Sequence, residues 1–252
     1  MLELEFHRWA IFMQIALAVF ALLGVLVIIA PYGRYQRAGW GPTLSCVFGW
    51  VVMELPAVLV FTFFFFSGDH SSDLVPLIFL GMWQVHYLNR TVVFPFRMRS
   101  GGRRMPILIP LLAVTFNALN SYTNAVWVGH LGSYDAGWLL DPRFLFGAGL
   151  FFGGWIGNCY SDSILRNLRT PGESGYKIPK DGLYRWVSAP NYLCEILEWI
   201  GWAIATWSLA GIAFAFFTAA NLVPRAFNHH RWYRQQFPEY PSKRKALIPY
   251  IL

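Results

Sequence analysis

Long apolar runs separated by short polar segments set the pattern of this 252-residue chain. Runs near 9–31, 44–67, 74–96, 105–129 and 144–165 each reach the roughly 20 residues a helix needs to cross a bilayer. A further stretch, from about 190 to 224, is long enough for two such helices, with an uncharged bend candidate around Ser208 to Gly211. The runs are apolar all round, as in helices that face lipid or a deep core, rather than striped on one side. The pattern predicts an all-α membrane protein: a single domain over 1–252 of about seven transmembrane helices, without internal repeat or low-complexity linker. The first run is longer than the core of a leader peptide and lacks an obvious small-residue cleavage site, so it reads as a retained span.

Loop charge tests the span count independently, because cytoplasmic loops collect Lys and Arg. With seven spans, one face holds Arg34 and Arg37, then Arg97, Arg99, Arg103 and Arg104, then Arg166, Arg169, Lys177, Lys180 and Arg185. The tail adds Arg225, Arg231, Arg234, Lys243, Arg244 and Lys245, so seventeen of the 20 basic residues share that face. Glu3, Glu5, Asp69, Asp73, Asp135 and Asp141 fall on the other. This predicts an N-terminus outside and a C-terminus in the cytoplasm; six spans would strand the tail's charges on the wrong face.

Composition agrees. Hydrophobic residues make up 56% and charged ones 13%, about half the roughly 25% charge of an ordinary soluble domain. The net charge of +7 does not indicate nucleic-acid binding, since no soluble module with a basic face is visible. Cys46, Cys159 and Cys194 sit in apolar runs without C-x-x-C spacing, and no His/Cys/Asp set has ligand spacing, so neither disulfide framework nor metal is expected. "GAGLFFGG" at 147–154 lacks the strand that precedes a dinucleotide loop and reads as close helix packing by small residues. No obligate protein partner is evident.

Ionisable residues within spans cost around 2.5–3.5 kcal/mol each at a helix centre and usually face the bundle interior for a functional reason. Glu54 stands near mid-span in "GWVVMELPAVLVF", with Pro56 two residues later offering a local backbone irregularity. Gln84, His86, Tyr87 and Arg90 lie in "WQVHYLNRTVVF", Asn158 and Asp162 in "GNCYSDSIL", and Asn191, Glu195 and Glu198 in "SAPNYLCEILEW". Spacings of three and four put Asn191, Glu195 and Glu198 on one helical face, and likewise Asn158 with Asp162 and Tyr87 with Arg90. Interfacial solvation or capping is the alternative reading for Asn158, Asp162 and Asn191 taken singly, and packing or an interfacial belt is the alternative for Tyr87 taken alone. His229 and His230 are adjacent and so point to different faces.

The segments "SDSILRNLRTPGESGYKIPKDGLYRWVSAPNYLCEILEWIGWAIATWSLAGIAFAFF" and "RAFNHHRWYRQQFPEYPSKRKALIPYIL", with "MELP", "HYLNRT" and "PYGRY" upstream, resemble the steroid 5α-reductase family. The resemblance implies a multi-pass enzyme that uses NADPH to reduce the carbon–carbon double bond of an enone such as a 3-oxo-Δ4-steroid, in a bacterial inner membrane or the endoplasmic reticulum. It implies that Asn158, Asp162, Arg169, Tyr176, Lys177, Asn191, Glu195, Glu198, Arg225, His229 and Tyr233 surround the dinucleotide, with Arg34 and Arg90 reaching it from earlier segments. Glu54 and Tyr87 match the catalytic pair at the substrate carbonyl, with Trp50 and Met53 beside them in the substrate site. Residues 1–130 then supply the substrate-pocket helices and 131–252 the NADPH-binding helices and loops. Two positions depart from the family pattern: Met53 stands where the steroid enzymes carry a glutamine, and Lys177 replaces a loop arginine. Related chemistry on a trans-2-enoyl thioester or a polyprenol is the alternative within the family. A membrane methyltransferase or a transporter is the alternative outside it, although a transporter should show related halves, which the sequence lacks.

Overall fold

A computed structural model describes residues 2–31, 33–99, 101–170, 173 and 175–252. Tyr32 of "PYGRY" and Pro171, Gly172 and Ser174 of the fifth loop lie outside the described residues.

Seven long helical rods are present among the described residues. They are α1 (Leu2–Val27), α2 (Cys46–Phe66), α3 (Leu74–Leu88) continuing through a π-helical segment Asn89–Val93 into α4 (Phe94–Arg97), and α5 (Leu108–Val126) with a π-turn Trp127–Leu131. Then come α6 (Pro142–Asn167), α7 (Pro190–Thr206) and α8 (Leu209–Gln236). Their bounds follow the apolar runs closely. The bend between α7 and α8 falls where expected: Trp207 ends α7 at φ 48°, in the left-handed region, and the Ser208 side chain caps α8 by accepting from Gly211 N at 2.9 Å. By length and composition α1, α2 and α8 are long and apolar enough to cross a membrane. Of the others, α3 and α7 are shorter, at 15 and 17 residues.

The distribution of side chains is that of a protein whose exterior is not water. Gln14, Asn120, Ser121, Thr123 and Glu198 are fully buried, while Trp9 is 72%, Phe20 69% and Phe96 72% exposed. Large apolar groups cover the outside and polar groups cluster within. Between them, Phe61, Phe79, Trp83, Phe151, Trp199, Trp202 and Phe214 form an aromatic core that joins α2, α3, α6, α7 and α8.

Two features correct the expected picture. The fold is not purely helical: Thr43–Ser45 and Arg104–Pro106 pair as antiparallel strands β1 and β2, with Leu44 opposite Met105. The partners lie some sixty residues apart, so no local pattern announces them, and pairing satisfies backbone groups where two loops meet at the bundle's end. Nor does Pro56 open a break; α2 runs through it, and the backbone irregularities are the two π segments instead.

The glycine run on α6 does pack helices together. A Cβ at Gly154 would lie 2.5 Å from the Cys194 carbonyl and backbone N of Glu198, and one at Gly201 would lie 2.6 Å from the Gly147 carbonyl. Backbone-to-backbone contact of α6 with α7 results, which brings Asn158 within reach of the acidic stripe of α7.

Candidate active site

The polar stripes meet at the centre of the bundle. Pro190 at the first position of α7 starts the helix, so Asn191, Glu195 and Glu198 project from its first three turns. Asn158 Nδ2 on α6 donates to the Asn191 carbonyl at 3.0 Å and to Glu195 Oε2 at 3.1 Å. Asn191 Nδ2 donates to Asp162 Oδ1 at 3.1 Å, and Arg90 Nη1 donates to Asp162 Oδ2 at 3.2 Å. The π segment of the third rod carries Arg90, whose guanidinium lies between the rings of Trp50 and Phe94, 5.0 and 4.3 Å from their centroids. His86 Nδ1 sits 2.7 Å from Glu198 Oε1, while Glu198 Oε2 is buried without a hydrogen-bond partner among the described residues.

Glu54 enters the same region from α2. Asn117 Nδ2 on α5 donates to Glu54 Oε2 at 3.3 Å and to the Met53 carbonyl at 2.7 Å, which fixes this turn of α2 against α5. Glu54 lies within electrostatic range of Arg90, His86 and Glu195, and Tyr87 within range of Glu54, Glu195 and Glu198. Tyr87 is buried against Trp83 and Trp199, at centroid distances of 4.8 and 5.7 Å. Met53 is also buried, but among Cys46 and Met105 beneath the strand pair.

A cavity of about 300 Å³ adjoins this centre, with Trp50 in its lining. Arg34, Arg99, Arg103 and Arg225 line it, together with Tyr35, Tyr176, Tyr192 and His229. The Arg34 guanidinium rests on aromatic faces, 4.6 Å from the Trp232 centroid and 4.8 Å from that of Tyr233, and its Nη1 is buried without a hydrogen-bond partner among the described residues. His229 is held from both sides, by Tyr35 Oη at 3.3 Å and Tyr192 Oη at 3.0 Å. Burial holds the Tyr35 phenol above its ordinary range against the lowering effect of Arg34, so its hydroxyl stays protonated. His230 turns the other way, to Ser188 Oγ at 2.7 Å, as its adjacency to His229 predicts.

Sixteen of the expected site residues thus fall into two adjoining groups. Around the centre are Glu54, Tyr87, Arg90, Asn158, Asp162, Asn191, Glu195 and Glu198. Around the cavity are Arg34, Trp50, Tyr176, Arg225, His229 and, beneath Arg34, Tyr233; Arg169 lies at its edge, over Tyr176 at 5.7 Å and donating to the Gly175 carbonyl at 3.0 Å, and Met53 packs behind it. Lys177 stands apart: it is exposed and ion-paired with Glu173, whose carboxyl it holds down to about 2.

Residues 103–252 match the family model described as 3-oxo-5-alpha-steroid 4-dehydrogenase. The chain belongs to the 3-oxo-5-alpha-steroid 4-dehydrogenase family. It is 45% identical over 222 residues to "3-oxo-5-alpha-steroid 4-dehydrogenase 1" of Macaca fascicularis, covering 87% of this chain and 84% of that protein. Over 222 residues it is 43% identical to the Homo sapiens protein of the same name, covering 87% and 85%. It is 42% identical over 227 residues to "Steroid 5-alpha-reductase DET2" of Gossypium hirsutum, covering 88% of each. The family match contains α5 to α8 and hence Asn158, Asp162, Asn191, Glu195, Glu198, Arg225 and His229. Glu54, Tyr87, Arg34 and Arg90 lie upstream of it.

Several polar residues of the site escape the sequence reading. Asn117, Asn120 and Asn124 form a buried stripe along α5, and Arg99 and Arg103 line the cavity. The signal for the asparagines was their spacing of three and four, in a run otherwise apolar enough to read as a plain span.

Proposed function

We propose that this protein is an NADPH-dependent reductase of the C4–C5 double bond of 3-oxo-Δ4-steroids. On this reading all seven rods cross the membrane, with the N-terminus outside and the C-terminus cytoplasmic, and the arginine-lined cavity faces the cytosol. The observation that carries it is a buried network of carboxylates, amides and one tyrosine, inside an apolar-skinned bundle, next to a cavity rich in arginine and aromatic rings.

These residues suit a dinucleotide. Arg34, Arg103 and Arg225 offer charge-assisted bonds to phosphates, and the unpartnered Arg34 Nη1 is a donor in waiting. Asn158, Glu195 and the free Oε2 of Glu198 suit the donors of an amide or a ribose. Asp162 and Asn191 hold Arg90 and Asn158 in place. Bound NADPH supplies the hydride.

The rest of the chemistry falls to this chain. As the enone's β-carbon is reduced, negative charge builds on its carbonyl oxygen, and a hydrogen-bond donor at that oxygen stabilises the transition state more than the ground state. Tyr87 is that donor. Glu54, held by Asn117, orients the phenol, and a proton from solvent or Tyr87 completes the saturated ketone. Trp50 and the apolar walls of α2, α3 and α5 exclude water and take the steroid's hydrocarbon. Met53, in place of a glutamine, removes one polar contact to a ketone and broadens the range of enones accepted.

Detergent-purified protein incubated with NADPH and progesterone tests the proposal. Loss of NADPH absorbance together with the 5α-reduced product is expected. Turnover of a trans-2-enoyl thioester alone would move the substrate class, and absence of both turnover and NADPH binding would sink the reading.

A further inference from the structure

The asparagine stripe of α5 lies behind Tyr87, and its hydrogen bonds run in one direction. An indole N–H can only donate. Trp202 Nε1 donates to Asn124 Oδ1 at 2.8 Å, which turns the Asn124 amide so that its Nδ2 donates to Asn120 Oδ1 at 3.0 Å. Gln14, reaching in from α1, donates to the same oxygen at 2.9 Å, and its own Oε1 is taken by Thr123 Oγ1 at 2.8 Å. With its carbonyl oxygen occupied twice, Asn120 presents Nδ2 outward. That group is fully buried, has no hydrogen-bond partner among the described residues, and lies within interaction range of the Tyr87 side chain.

We infer that Asn120 is a positioning residue for Tyr87: its N–H engages the phenolic oxygen, so that the phenolic hydrogen points away from α5 toward the substrate carbonyl. The donors Trp202, Asn124, Asn120 and Tyr87 then form a one-way series from α7 through α5 to α3. The series starts at a group that cannot accept, so none of its links can reverse without stranding a buried polar atom. An acceptor at position 120 would turn the tyrosine hydrogen back toward α5. The inference rests on Tyr87 being the carbonyl donor.

Two substitutions test it. Asn120→Leu removes the donor at similar volume, and Asn120→Asp replaces it with a group that donates only while protonated. Each kcat is divided by that of the unaltered protein at the same pH, which cancels the titration of Glu54, Glu195 and Glu198 around Tyr87 and of His7 behind α5. NADPH affinity, steroid KM and melting temperature are measured alongside. Asn120→Leu is expected to lose about 10- to 100-fold in kcat at every pH, the scale of a misplaced catalytic group, with KM and NADPH affinity within about threefold. The Asn120→Asp ratio is expected to match that of the leucine variant at high pH and to climb as pH falls. A flat aspartate ratio, or a leucine variant with undiminished kcat, overturns the inference. If the leucine variant does not fold, the aspartate series decides alone, because it compares one protein with itself across pH. An inactive Tyr87→Phe beside indifferent Asn120 variants sinks this inference only, whereas a fully active Tyr87→Phe sinks the assignment of Tyr87 and this inference with it.

Discussion

The central network and the arginine cavity keep polar groups inside an apolar fold by different means. At the centre, side chains make directed bonds to acids: Asn117 to Glu54, Asn158 to Glu195, His86 to Glu198 and Arg90 to Asp162, Arg90 being the one that also lies between rings. At the cavity, Arg34 lies on the ring faces of Trp232 and Tyr233. A directed bond settles where a proton points. A ring face holds a charge while leaving its N–H groups available to a ligand. On the proposed reading, the difference assigns bond-making chemistry to the centre and affinity for a phosphorylated cofactor to the cavity.

The division breaks most visibly at Glu54 and Tyr87. Glu54→Gln and Tyr87→Phe are each expected to lower turnover by about 10²–10³-fold or more, the scale of removing a transition-state donor, while NADPH affinity from fluorescence titration stays within about threefold. Equal loss of cofactor binding in both would erase the distinction between the regions. Arg34→Ala should give the reverse pattern. Loss of one charge-assisted bond, about 1.5–3 kcal/mol, raises the NADPH Kd roughly 10- to 100-fold and leaves kcat at saturating cofactor within about threefold. A fall in kcat without a change in Kd would place Arg34 with the chemistry. The smallest effect is expected at Lys177, which is exposed and paired with Glu173 rather than set in the cavity wall. Lys177→Ala should shift the NADPH Kd less than about twofold, as befits a surface ion pair of about 0–1 kcal/mol; a larger shift would bring the fifth loop into the site.

Much of this organisation was legible from residue order. Five apolar runs and one double-length stretch marked the seven rods, and glutamates in an apolar run marked the wall of the candidate site, because both signals are local. What was not legible depends on contacts distant in sequence. The strand pair joins residues 43–45 to 104–106, and the turn that aims Arg90 inward is a π segment that no residue pattern in "NRTVV" announces. Pro56 suggests an irregularity that α2 does not have: the helix passes through the proline without a break. Asn117, Asn120 and Asn124 were overlooked because they carry no charge: their importance comes from Glu54, Gln14 and Trp202, each on a different helix. His86 shows no role in the sequence beyond its polarity, because its partner Glu198 lies 112 positions away.

The glycine seam between α6 and α7 also bears on traffic. Gly147, Gly154 and Gly201 bring the two backbones into contact, which closes these helices against each other at those turns. On the proposed reading, a lipophilic substrate arriving from the bilayer enters through a different flank, and the seam acts as the closed back of the compartment rather than its door.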